Sequence, residues 1–232
     1  IAPSGDPHDY ISIPPYSWPN PAKPNGLPWV NRDGEVNPAF YEYDNQTLET
    51  FCLAVNQLIL HAYASGSAAH ARRGGKFLRC WFLDKATRMT PHLRYAQGLP
   101  GGSEGRSIGI IDSTSLIFLF DAVTHLDFNE EWTPKDLADL KGWVSQYLDW
   151  LMESAPGKQE GKAANNHGTW YDAQVAAYAY FCGKPELARQ EVVTHARQRI
   201  SSQIEPDGRQ PRELARTLSL TYCSYNTLAF AC

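Results

Sequence analysis

The chain has 232 residues, is 43% hydrophobic and carries a formal charge of -4, which allows a sizeable core in a single domain. That charge gives no overall pull toward nucleic acid or an anionic membrane surface. No apolar run approaches the roughly 20 residues of a membrane helix, and Ile1 is read as the residue after a removed signal peptide.

Residues 1–45 are rich in Pro, Gly, Asn and aromatics, so they cannot form a regular helix. Tyr10, Tyr16, Trp18, Trp29, Phe40, Tyr41 and Tyr43 are too many aromatics for solvated disorder. The segment is therefore expected to be an ordered arm lying across a helical body of residues 46–232. Asn45-Gln46-Thr47 is a glycosylation sequon. With the five cysteines it favours a secreted, extracellular protein.

From Leu48 the spacing becomes helical, with Phe51, Val55, Leu58, Ile59 and Ala62 three and four apart up to Gly66. A second helix is expected over 68–83, with Gly74-Gly75 marking a bend. A glycine-rich loop runs from Gly98 to Gly109. Further helices are expected at about 112–126, 133–153, 169–182, 185–204 and 212–232. Strand signals are nearly absent, so the pattern predicts an all-α architecture of antiparallel hairpins.

Two polar stretches stand out. Asn165-Asn166-His167-Gly168 precedes an almost wholly apolar helix, with Thr169 and Asp172 spaced as a capping box. The start of a buried helix suits an anion such as a carboxylate. Glu213-Leu214-Ala215-Arg216, followed by Tyr222 and Tyr225, precedes the last helix. If both helices run in the same direction, His167, Arg216 and Tyr222 converge on one face.

The order Asn-Asn-His, aromatic helix, Glu-x-x-Arg and Tyr resembles the alginate lyase superfamily, including polysaccharide lyase families five and thirty-eight. The arm resembles it as well, through His8-Asp9-Tyr10, Pro15 to Pro21, Gly26-Leu27-Pro28, Arg32-Asp33-Gly34 and Asn37-Pro38. So do Trp81 to Asp84, Tyr95-Ala96-Gln97 and Gly109 to Asp112. The resemblance spans nearly the whole chain. It implies an incomplete α/α toroid with a deep cleft that cleaves uronate polysaccharides by β-elimination; no cofactor and no metal are expected, and the protein is expected to act as a monomer on an acidic polymer. The chain is shorter than a full toroid, and the folded unit is expected to continue past Cys232.

The residue types suit that chemistry. Asn166 and Arg216 are expected to neutralise the substrate carboxylate, an oxyanion-hole role typically worth about 3 kcal/mol per donor. Tyr222, with a pKa lowered by Arg216 and His167, is expected to take the C5 proton as tyrosinate. On guluronate, where C5–H and O4 lie on opposite sides, His167 is the candidate base and Tyr222 the acid. The Arg216-to-Tyr222 spacing is one residue shorter than in bacterial alginate lyases, so Tyr225 is a second candidate. Tyr16, Trp18, Tyr95, Gln97, Arg106, Asn165, Trp170 and Tyr225 are candidate substrate contacts, with packing as the alternative for each.

Two other functions compete. A glycoside hydrolase would need paired carboxylates, for which Asp112, Asp172 and Glu213 are nominees without clear partners. A non-catalytic glycan binder would use the aromatics alone. Zinc chemistry lacks any paired-histidine spacing. Among the cysteines, Cys182 lies 11 residues beyond Tyr171 and Cys232 lies 10 beyond Tyr222. At about 1.5 Å per residue they reach similar depth in parallel helices. The expected disulfides are Cys182–Cys232 and Cys52–Cys80, with Cys223 left over.

Overall fold

The computed structural model describes residues 1–232. Ten helices carry the fold: α1 (Asp44–Ser65), α2 (Ala68–Phe82), α3 (Ser115–Val123), α4 (Pro134–Glu153), α5 (Ala155–Glu160), α6 (Asn166–Phe181), α7 (Pro185–Gln190), α8 (Arg197–Gln203), α9 (Pro211–Leu214) and α10 (Ser219–Ala231). Short 3-10 segments cover Pro38–Glu42 and Ser107–Ser113, and a π-helical turn, Glu191–Ala196, joins α7 to α8. Only two strands occur, β1 (Ser17–Trp18) and β2 (Val30–Asn31), paired antiparallel within the arm. The fold is all-α, an incomplete α/α toroid of helical hairpins. No helix is long and apolar enough to cross a membrane.

The apolar spacing of α1 buries Leu48, Cys52, Val55, Ile59 and Ala62 along one face. Gly66 ends the helix in the left-handed region that a glycine adopts without strain. The hairpin partner α2 runs unbroken through Gly74-Gly75, so no bend occurs there. A Cβ on Gly75 would lie 2.7 Å from Trp132 Cβ and 2.9 Å from the Glu131 carbonyl. The glycine serves close packing of α2 on the 129–132 turn.

α6 is the central helix. It packs against α3, α4, α5, α7 and α10. Trp170, Val175, Tyr178, Ala179 and Phe181 are buried on it, as an almost wholly apolar helix requires. It starts earlier than expected, with Asn165 at the cap, so Thr169 lies inside the helix and bonds Gln203 rather than capping. A full capping box does form at Thr133 and Asp136, opening α4.

The arm is ordered and tied down along its length. His8 Nδ1 lies 2.7 Å from the Arg88 carbonyl, and Ile11 N–H donates to Asp44 at 2.9 Å. The buried Asp112 carboxylate accepts from Tyr10, Ser12 and Gln97 at 3.0, 2.5 and 2.8 Å. Burial raises the pKa of Asp112, and those three donors offset part of the rise.

Three expectations fail on burial or direction. Asn45 is 6% exposed at the first turn of α1, so its sequon is not displayed at the surface. All five cysteines are free thiols. Cys52 sits in the core, whereas Cys80 is exposed and lies against Thr87. Cys182 faces the Lys141 carbonyl on α4, and Cys232 turns back to the Leu228 carbonyl of its own helix. Each thiol points to a different neighbour, and neither expected pair forms.

Candidate active site

The site forms where α6, α9, α10 and the arm meet. Asn166 is fully buried at the first turn of α6. Its backbone N–H and its side-chain Nδ2 donate to the two oxygens of Glu213, at 2.7 and 2.6 Å. The anion that suits the helix start is thus supplied by the chain itself, not left for substrate. Asn166 Oδ1 is buried with no hydrogen-bond partner. One turn beyond Glu213, Arg216 N–H donates to the Glu213 carbonyl. Asn166 and Arg216 are therefore joined through one residue.

Arg216 faces the arm. Its Nε and Nη2 bond the Asp33 carboxylate, and Thr217 N–H reaches the same group at 3.0 Å. These bonds, Arg216's first, hold the Asp33 carboxyl well below the usual carboxylate range. Nη2 also donates to the Tyr222 hydroxyl at 2.9 Å, and the guanidinium lies 3.9 Å from the Tyr222 ring centroid. Tyr222 in turn donates to the Tyr16 hydroxyl at 3.0 Å. Arg216 is committed to Asp33 and Tyr222 on two of its nitrogens, with Nη1 taking no partner from the chain.

The expected lowering of the Tyr222 pKa does not occur. Burial pushes it up and the bond to Tyr16 adds to this, while the Arg216 charge opposes both. Tyr222 is a neutral phenol here, poised by Arg216 but not ionised.

His167 follows Asn166 and is partly exposed. Its Nδ1 lies 2.6 Å from the buried Glu160 carboxylate. The α5–α6 connection that carries both is fastened by Arg199. That guanidinium donates to the Gly161 and Ala163 carbonyls at 2.8 and 2.5 Å and pairs with Asp172 through Nε at 2.5 Å. Gly168 makes this approach possible, since a Cβ there would stand 2.2 Å from Arg199 Nη1.

The other sequence candidates divide. Tyr16 belongs to the site through Tyr222. Trp18 is half-buried on β1, donates to the Glu35 carbonyl at 2.9 Å and carries Arg32 over its ring. Trp170 is 1% exposed and packs on Tyr225 at 4.7 Å, so it is core rather than a substrate contact. Tyr225 bonds Thr114 and packs on Trp170, and no hydrogen bond joins it to Arg216 or Tyr16 as Tyr222 is joined. Tyr95 is buried beside His92 and Arg94 and pairs with Ile11 of the arm. Gln97 is buried on Asp112 with a positive φ of 48°, a conformation unusual for a side-chain-bearing residue. Arg106 donates to the Gln97 carbonyl at 2.9 Å, and burial lowers its pKa. Tyr95, Gln97 and Arg106 thus anchor the arm rather than line a free subsite. Asn165 caps α6 through its backbone, accepting from Gly168 and Gln203.

The three nominated carboxylates are all engaged, Asp112 by Tyr10, Ser12 and Gln97, Asp172 by Arg199, and Glu213 by Asn166. One trio that sequence spacing does not reveal could offer metal ligands. Asp172, Glu191 and His195 place donor atoms within 4.8 Å of one another. Asp172 is already paired with Arg199, and Glu191 with His195 at 2.6 Å.

Sequence reasoning missed Asp33 and Glu160. Asp33 stood inside the arm motif Arg32-Asp33-Gly34, but its partner lies 183 residues away. Glu160 lies on a different helix from His167, and no local pattern links them.

Asn166 and His167 open α6, while Arg216 and Tyr222 lie at the α9–α10 turn and the first turn of α10, with the arm closed over them. The sequence model of the family described as "Alginate lyase" matches residues 1–232, and the chain belongs to that family. It is similar to the crystal structure of an alginate lyase from Bacteroides ovatus, with a TM-score of 0.95 and 41% identity. The match covers 100% of this chain and 62% of that one, so this chain spans under two thirds of that protein's length. Among curated proteins none matches.

Proposed function

We propose that this chain carries the catalytic site of a polysaccharide lyase that cleaves a β-1,4-linked uronate polymer, mannuronan or glucuronan, by β-elimination. The observation that carries the reading is the Tyr222 hydroxyl, held between the Arg216 guanidinium and the Tyr16 hydroxyl.

Elimination takes the C5 proton, forms the C4–C5 double bond and expels O4 with the C4–O4 electron pair. Tyr222 is the base. Substrate entry displaces water, and Arg216 then favours the tyrosinate that forms. In mannuronate and glucuronate C5–H and O4 lie on the same side, so Tyr222 returns that proton to O4. The substrate carboxylate must be neutralised as charge builds on C5. Arg216 Nη1 is the donor left to do this, joined by His167 Nε2 when the imidazole carries both protons, because Asn166 is fully buried on Glu213. Asn166 instead locks the start of α6 to Glu213, and so fixes His167 relative to Arg216.

The engaged state of Asp112, Asp172 and Glu213 weighs against the hydrolase alternative, which needs two carboxylates facing the scissile bond. The hydrogen-bonded Tyr222, Arg216 and Asp33 set weighs against a binder built on aromatic faces alone. An extracellular setting is part of the proposal, since polymers of this size do not cross a membrane. A product screen against polymannuronate, polyguluronate, glucuronan and hyaluronan tests it. Unsaturated, ultraviolet-absorbing ends are expected on polymannuronate or glucuronan. New reducing ends without that absorbance would indicate a hydrolase and overturn it.

A further inference from the structure

Glu160 ends α5 and is 1% exposed. Its hydrogen-bonding partner is His167 Nδ1, at 2.6 Å. Burying an ionised carboxylate is costly unless a donor or cation meets it. With Glu160 ionised, the pair is satisfied only if Nδ1 carries a proton and donates it to Glu160. That assignment leaves Nε2 as the free nitrogen of a side chain that is 18% exposed.

The surroundings make the pair rigid. α5 is capped by Ser154, whose side chain accepts from Gly157 N–H. Gly157 packs directly on α4, with a Cβ there falling 1.8 Å from the Leu151 carbonyl. Arg199, itself held on Asp172 by two bonds, clamps the Gly161 and Ala163 carbonyls between Glu160 and His167. Both partners are therefore fixed by contacts that do not involve substrate.

We propose that Glu160 is a positioning residue that holds His167 with its proton on Nδ1 and presents Nε2 to the substrate. The proposal rests on the lyase reading above for its kinetic consequence, though not for its structural one. On a mannuronate or glucuronate substrate, the doubly protonated ring donates from Nε2 to the substrate carboxylate, with its charge met by Glu160. On guluronate the ring protonated on Nδ1 alone takes the C5 proton on Nε2, and Glu160 stabilises the imidazolium that results, as the carboxylate does in a serine-protease triad.

The test uses the whole chain with Glu160→Gln and Glu160→Asp. Nitrogen-15 NMR of the histidine rings, without substrate, reads which nitrogen of His167 is protonated. Kinetics on the polymer the wild type cleaves read kcat and KM separately. Glu160→Gln is expected to lower kcat about 10- to 100-fold with KM within about threefold, and to move the proton away from Nδ1. Glu160→Asp keeps a carboxylate and is expected to retain the Nδ1 proton and recover part of kcat. Wild-type protonation in Glu160→Gln, or unchanged kcat, would overturn the proposal. A wild type that makes no unsaturated product would defeat the lyase reading alone, while the NMR result would still decide the role of Glu160.

Discussion

The Tyr222 hydroxyl donates to the Tyr16 hydroxyl across 3.0 Å, joining the last helix of the chain to its N-terminal arm. Arg216 and Asp33 make a second bridge between the same two regions. The arm therefore supplies part of the site and does more than cover it. Tyr16, which meets the Tyr222 hydroxyl, and Asp33, which meets Arg216, both come from the first 33 positions.

Tyr222→Phe removes one hydroxyl and leaves the ring over Arg216. Turnover is expected to fall below a few per cent of wild type, with polymer binding largely kept. Ultraviolet product assays and equilibrium binding check the two halves. Because burial raises the Tyr222 pKa, the ionised fraction grows with pH through the neutral range. The wild-type kcat/KM is thus expected to climb from about pH 7 to about pH 9. A flat or falling profile there would remove Tyr222 as the base.

Asp33 gives a pH prediction for the arm. Its pKa is lowered in the folded chain by Arg216 and Thr217. A carboxylate with a depressed folded pKa contributes stability above its unfolded value of about 3.9, and loses it as pH falls toward the folded pKa. The arm is expected to stay fixed above about pH 4 and to loosen below it. Trp18 fluorescence and limited proteolysis of residues 1–45 report this. Asp33→Asn should loosen the arm at neutral pH and abolish that acid transition.

Gly75→Ala tests the packing of α2. The added methyl has no room beside Trp132 and Glu131, so one side must shift. A loss of about 1–3 kcal/mol is expected, read as a lower thermal midpoint. A bend-forming glycine on an open surface would instead gain stability from alanine.

The cysteines should titrate as five free thiols after denaturation under non-reducing conditions. In the folded chain the exposed Cys80 and Cys232 are expected to react first. Cys52 should stay unmodified, since burial pushes its thiol up to about 12. A mass loss of hydrogens matching any disulfide would contradict this.

The sequence by itself determined the all-α class, the ordered arm and most of the helices, though α5 and the breaks within 185–204 and 212–232 escaped it, and it singled out Asn166, His167, Arg216 and Tyr222 as candidates for one site. Each of these is written in local spacing: three-and-four apolar repeats, proline runs dense in aromatics, and polar residues just before helix starts. The tertiary structure alone decided which charges meet. Asp33 reaches Arg216, Glu160 reaches His167 and Glu213 reaches Asn166 only because helices distant in sequence pack side by side. Those meetings changed the chemistry read from the residues. They filled the helix start with Glu213, tied two nitrogens of Arg216 to Asp33 and Tyr222, and left Tyr222 protonated. Burial decided the rest, taking Trp170, Tyr95 and Asn45 inside where an aromatic or a sequon in the sequence could equally have been surface. Hydrophobic periodicity is a property of neighbours along the chain, whereas burial of one polar group and its partner depends on every element packed around them.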